Sequence, residues 1–216
     1  MPIRIKICGI TRYEDAKAAA SIGVDAVGFI FYPKSPRYIA PEDAAAIIAG
    51  LPPFISRVGV FVDETPERVV AIARTAGIDT LQLHGTESPE FCAMMPLPVI
   101  KGFSINAVTD LSKLDGYRTS GFLLDTWSPD QRGGTGKTFD WSIATEACRK
   151  SDRIILAGGL NPDNIREAVE TVHPYGVDIN SGVEIRPGEK NPHKMRELVQ
   201  IVRSWDRGDN KSAWTG

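Results

Sequence analysis

Eight times along this chain a short apolar run at strand spacing gives way, across a tight turn, to a segment with helical spacing, and that alternation is what most limits the fold. The strand runs are expected at 3–7, 26–31, 56–62, 80–84, 98–103, 122–125, 153–157 and 176–180. Helices are expected to follow from about 11, 41, 66, 89, 107, 141, 162 and 192. Links are short and no composition break interrupts them, so one α/β domain is expected. Eight is the number that closes a single-domain (β/α)8, or TIM, barrel, here assigned to 1–205, with 206–216 as a polar, flexible tail. An open doubly wound sheet is the alternative. It ordinarily has fewer strands and a Gly-x-Gly-x-x-Gly after the first, which is absent after Ile7.

Local signals place the helix starts. Thr11 with Glu14 has the spacing of a capping box; Thr65-Pro66, Ser88-Pro89 and Asn161-Pro162 each pair a capping side chain with a proline at the first helical position; Gly23 and Gly77 stand where helices should stop.

Charge narrows the possible partners. With 27 acidic and 25 basic residues the net charge is -2, and no Lys/Arg cluster offers a footprint for nucleic acid or an anionic membrane, so a small-molecule ligand is expected. No apolar run approaches the roughly 18 residues of a membrane span, and the N-terminus enters the first strand without a leader pattern. Three scattered cysteines, Cys8, Cys92 and Cys148, suit neither a disulfide framework nor a zinc site, so no metal is expected and the cytoplasm fits.

A barrel of this kind carries its chemistry where the strands end. In the first strand Ile3, Ile5 and Ile7 share one face, leaving Arg4, Lys6 and Cys8 to look inward. The same period turns Gln82 and His84, Asp178 and Asn180, and Asp125 inward, and Lys101 and the Arg37 loop add to the rim. Each alone has an ordinary reading: a strand-end His is as often structural as functional, and a lone Cys is usually a small hydrophobe. Their convergence on one rim points to catalysis.

Two glycine clusters, Ala157-Gly158-Gly159-Leu160-Asn161 and Asn180-Ser181-Gly182-Val183-Glu184, stand at the ends of the seventh and eighth strands. Tight turns would also use glycine, but loops at those two positions commonly bind phosphate through unhindered backbone N–H groups, which assigns Gly158, Gly159, Ser181 and Gly182 to a phosphate. The segment Gly133-Gly134-Thr135-Gly136-Lys137-Thr138 looks like a nucleotide P-loop, yet Gln131 stands where that motif needs glycine; a mobile loop over the site is the expectation.

These stretches resemble one family, phosphoribosylanthranilate isomerase. The resemblance rests on Lys6-Ile7-Cys8-Gly9-Ile10-Thr11, Gly28-Phe29-Ile30-Phe31 with Ser35-Pro36-Arg37-Tyr38-Ile39, Gly59-Val60-Phe61-Val62 and Leu81-Gln82-Leu83-His84-Gly85. It continues through Leu123-Leu124-Asp125, Gly133-Gly134-Thr135-Gly136, Ala157-Gly158-Gly159-Leu160 and Val177-Asp178-Ile179-Asn180-Ser181-Gly182-Val183-Glu184, in order over nearly the whole chain. It implies an Amadori rearrangement of N-(5-phosphoribosyl)anthranilate in tryptophan biosynthesis, without a cofactor. It also implies Cys8 as general base, Asp125 as general acid and Arg37 as partner of the anthranilate carboxylate; Gln82, His84 and Asp178, turned inward by the strand period, are the further substrate contacts expected.

The chemistry independently asks for one acid and one base beside the sugar. Lys6 is expected to favour the Cys8 thiolate, and Asp125 to be held protonated by burial or by negative neighbours such as Asp178 or the substrate itself. Arg37 suits a planar carboxylate because its fork binds both oxygens. The rivals are a phosphosugar lyase or aldolase using Lys101 as a Schiff base, and a catalytically silent phosphate-binding barrel. Isomerases acting on two substrates share the chemistry but follow another pattern. A monomer or homodimer is expected.

Overall fold

The computed structural model describes residues 1–105, 107–125 and 141–208. The segment Gly133 to Thr138 and the expected loop over the site lie outside the described residues.

Eight parallel strands pair in sequence order into a closed barrel: β1 (Arg4–Ile7), β2 (Ala26–Ile30), β3 (Ser56–Phe61), β4 (Thr80–Leu83), β5 (Val99–Ser104), β6 (Gly121–Asp125), β7 (Ile154–Ala157) and β8 (Gly176–Ile179). Ile7 lies opposite Ile179, which closes the ring between first and last strands. The helices are α1 (Tyr13–Ser21), α2 (Pro41–Ile48), α3 (Pro66–Ala76), α4 (Pro89–Met94), α5 (Ser142–Lys150), α6 (Ile165–Val172) and α7 (Pro192–Arg207), with a 3-10 helix, Val108–Leu114, between β5 and β6. Among the described residues no helix is long and apolar enough to cross a membrane.

The strand period sets two cores. Outward residues such as Ile5, Ile7, Leu81, Leu83, Val177 and Ile179 are fully buried between sheet and helices. Inward, Ile100, Leu123, Ile155 and Ala157 form a small separate cluster that plugs the barrel. A plugged interior leaves space only at its ends, and the site forms at one of them.

Caps follow the local chemistry where nothing else competes for it. The Thr65 and Ser88 side chains accept from Arg68 and Phe91 N–H, and Gly77 ends α3 in the left-handed conformation. The capping box at Thr11 does not form: α1 is capped by Arg12 without a side-chain bond, because the Thr11 hydroxyl donates 2.5 Å to the Gly188 carbonyl. Asn161-Pro162 does not open a helix either. The Asn161 side chain accepts from Asp163 N–H in a turn, and α6 begins at Ile165.

The chain's last helix continues past Ser204, and Asp206 belongs to the barrel rather than to a tail. Its carboxylate accepts from Ile3 N–H at 2.9 Å and pairs with Arg203, tying the helix to the first strand. A two-stranded hairpin, β9 (Glu184–Arg186) and β10 (Glu189–Lys190), was not expected. It turns at Gly188, φ +81, and stands beside the end of β8.

Candidate active site

Where the strands end, the barrel opens into a cavity of about 280 Å³. Nine of the ten residues nominated from sequence line it: Cys8, Gln82, His84, Asp125, Gly158, Gly159, Asp178, Ser181 and Gly182. Ile30, Val60, Leu123 and Ala157 supply apolar wall, and Tyr32, Ser35 and Asn180 join them. In ring order β6, β7, β8, β1, the two glycine loops fall between Asp125 and Cys8.

Cys8 ends β1, where its N–H donates 2.8 Å to Ile179 O on β8. Space for the thiol comes from Gly28 on β2: a Cβ there would lie 2.8 Å from Sγ and 3.0 Å from Lys6 Cε. Lys6 points inward beside it, 5% exposed, and donates 2.8 Å to Asp178, 8% exposed. Burial pulls the Lys6 ammonium down, but Asp178 and Cys8 raise it further, so it stays charged.

Lys6 acts on the thiol in the expected direction but is outweighed. Burial pushes the Cys8 thiol above the ordinary range, Lys6 pulls it back only in part, and Asp178 pushes with burial. Because Lys6 and Asp178 are buried together, Lys6→Met leaves a carboxylate without its cation. Urea unfolding should register a loss of about 3–5 kcal/mol, most of it recovered when Asp178→Leu is added. A single variant as stable as the parent would mean that the pair carries no such strain.

Gln82 and His84 continue the inward face of β4. Gln82 Nε2 lies 3.1 Å from His84 Nδ1, and His84 Nε2 lies 3.6 Å from Asp125 Oδ2. An amide N–H can only donate, so this placement makes Nδ1 an acceptor and leaves the ring proton on Nε2, towards Asp125. Among the described residues Gln82 Oε1, a buried atom of a residue that lines the cavity, has no hydrogen-bond partner. Asp125 itself is partly exposed, and the charge of Asp178, expected to act on it, is engaged by Lys6.

Arg37 is the nominated residue that does not line the cavity. Its Nε and Nη2 donate to Glu184 at 2.8 and 2.6 Å, so one edge of the fork is already taken. Burial raises the Glu184 carboxyl, but Arg37 and Lys190 outweigh it and hold the group below the usual carboxylate range. Lys101 is not on the rim at all. It faces the helices, 1% exposed, donates to the carbonyls of Leu83, Gly85 and Gly102, and lies 3.1 Å from Glu87. Four acceptors hold that ammonium, which removes the geometric basis for a Schiff-base enzyme. Lys190 escaped the sequence reading, and Glu184 entered it only as the end of a matching stretch, without a role; Pro187-Gly188 was the turn signal that could have revealed their hairpin.

The glycine loops touch through a missing side chain: a Cβ on Gly182 would lie 2.0 Å from Leu160 O. Among the described residues no backbone acceptor takes the N–H of Gly159, Ser181 or Gly182. No group of three or more His, Cys, Asp and Glu among the described residues could hold a metal ion.

Comparison with known proteins bears on this geometry. The family described as N-(5'-phosphoribosyl)anthranilate (PRA) isomerase matches residues 5–201. The N-(5'-phosphoribosyl)anthranilate isomerase of Trichlorobacter lovleyi is 50% identical over 201 residues, 93% of this chain and 98% of that one. The crystal structure of phosphoribosyl anthranilate isomerase from Thermotoga maritima is 44% identical with a TM-score of 0.88, over 94% of this chain and 99% of its own. Another crystal structure of such an isomerase, in complex with reduced 1-(o-carboxyphenylamino)-1-deoxyribulose 5-phosphate, is 41% identical with a TM-score of 0.85, over 94% of this chain and 99% of that one.

Proposed function

The chain belongs to the N-(5'-phosphoribosyl)anthranilate isomerase family, a TIM-barrel isomerase of tryptophan biosynthesis, and on that footing we propose that Cys8 and Asp125 are the base and acid of its Amadori rearrangement. The observation that carries the reading is their joint presence on one cavity wall, with the glycine loops between them along the rim. The substrate is N-(5-phosphoribosyl)anthranilate, and the product is 1-(2-carboxyphenylamino)-1-deoxyribulose 5-phosphate.

The steps follow from that arrangement. Asp125 gives its proton to the ribose ring oxygen as the C1–O bond breaks, while the anilino nitrogen's lone pair forms the C=N bond of a Schiff base. The Cys8 thiolate then takes the C2 proton, and the pair left behind becomes the C1=C2 bond of an enolamine as the C=N electrons return to nitrogen. Tautomerisation gives the aminoketose. Net composition is unchanged, so neither cofactor nor metal is called for. The His84 Nε2 proton is available to steady the Asp125 carboxylate once its own proton has left. Gln82 Oε1 accepts a sugar hydroxyl, and Asp178 holds Lys6 beside the thiol.

For the phosphate we propose the N–H groups of Gly159, Ser181 and Gly182, with Gly158 giving the close approach. Their lack of acceptors among the described residues supports this, while Gly182 is required because a Cβ there would lie 2.0 Å from Leu160 O. In Gly182→Ala the methyl would force the two loops apart. Titration with inorganic phosphate should then show affinity weakened by about ten-fold or more, the worth of a hydrogen bond to a charged group; unchanged affinity would move the phosphate elsewhere.

The direct test is loss of phosphoribosylanthranilate fluorescence with the purified protein; a chain that binds the reduced product yet turns nothing over would be the silent barrel instead. We further propose a monomer or homodimer, and a cytoplasmic setting, to which three free thiols are suited. Sedimentation and cell fractionation check these two.

A further inference from the structure

Glu184 is buried, yet it lies outside the cavity and plays no part in the proton transfers. Its Oε1 accepts from Arg37 Nε at 2.8 Å, from Lys190 Nζ at 2.8 Å and from Gly188 N at 3.2 Å, and its Oε2 accepts from Arg37 Nη2 at 2.6 Å. Three of these bonds fall on Oε1 and one on Oε2, so the carboxylate is already shared between two cations and a backbone N–H. Lys190 is itself fixed, donating to the Asn180 carbonyl at 3.2 Å and to its side-chain oxygen at 3.0 Å. The hairpin that carries Glu184 and Lys190 thus locks the end of β8 to the loop after β2.

The guanidinium has five N–H donors, and Glu184 takes two of them along the Nε/Nη2 edge. The three that remain, both on Nη1 and one on Nη2, have no acceptor among the described residues, and one N–H from each nitrogen makes the second fork of the group. The Arg37 stem reaches this place over Gly9, the residue after Cys8: a Cβ there would lie 2.8 Å from Arg37 Cδ and 2.7 Å from Asn180 Oδ1. Arg37 is thereby held at the same part of the rim as the thiol.

We propose that Glu184 is a positioning residue for substrate selection: it grips one edge of Arg37 and presents the other fork, at a fixed angle beside Cys8, to the planar carboxylate of the aromatic ring. This rests on Arg37 binding that carboxylate. Glu184 has two cations to serve, so it orients Arg37 without neutralising it alone. In Glu184→Gln the amide oxygen replaces one acceptor and the amide nitrogen turns a donor towards Arg37, which breaks the two-point grip.

The test measures what the carboxylate adds to binding. Calorimetry on the whole chain compares the reduced product with the same compound lacking the ring carboxylate, for the parent, Glu184→Gln, Glu184→Asp and Arg37→Gln. The parent should prefer the carboxylated ligand by about ten-fold or more, and Arg37→Gln should lose that preference. Both Glu184 variants should lose most of it while binding inorganic phosphate as the parent does, with KM raised more than kcat is lowered. Arg37→Gln keeping the parent's preference would overturn the carboxylate reading itself. Loss in Arg37→Gln with the preference intact in the Glu184 variants, even with a lowered melting temperature, would overturn the positioning role alone. Glu184→Asp keeps the charge beside Lys190, so it serves if the Gln variant does not fold.

Discussion

Cys8→Ser should lower kcat by about 10²–10⁴-fold, the usual contribution of a positioned general base. The substitution is nearly isosteric, and the side chain has room because Gly28 opposite carries none, so the fold should be unaffected. What is lost is acidity: a hydroxyl gives essentially no anion where a thiol gives some. The parent's pH profile carries the same signature. A base acts only when deprotonated, and burial raises the Cys8 thiol despite Lys6, so kcat/KM should climb with pH through and beyond the ordinary thiol range. Steady-state assay by substrate fluorescence, parent and variant side by side, decides it. Turnover within a few-fold of the parent would sink the assignment.

Asp125→Asn should be comparably severe, about 10²–10⁴-fold in kcat, for the complementary reason that an amide of the same shape has no proton to give the ring oxygen. Binding should change little, because the phosphate loops and Arg37 are untouched, and the reduced product should bind within a few-fold of its parent affinity. Such a split separates loss of chemistry from loss of shape. His84→Ala would then show whether the neighbouring Nε2–H, 3.6 Å away, contributes to the same step. An Asn variant with near-parental kcat would transfer the acid role to another group.

Several features were readable from neighbours a few residues apart. Thr65, Ser88 and Gly77 act as caps as their local chemistry demands, and Gln82, His84 and Asp178 turn inward because a strand alternates. Thr11 shows where such reading fails: its hydroxyl is drawn to Gly188, 177 positions away, so the box with Glu14 never forms. Lys101 fails similarly. Its place near a strand end suggested the rim, but the strand's phase turns it to the helices and to Glu87.

By itself the sequence determined the number and order of strands, hence a closed barrel, and most of the side chains that reach its mouth, Lys101 and Arg37 excepted, since period and count are properties of adjacent residues. Only the tertiary structure decided the electrostatics. Asp178 meets Lys6 and Glu184 meets Arg37, pairs separated by 172 and 147 positions, because barrel closure sets β8 beside β1 and brings the hairpin after it against the loop after β2. Whether a thiol is ionised or a guanidinium is aimed depends on charges a few ångströms away in space, and no spacing along the chain records that distance.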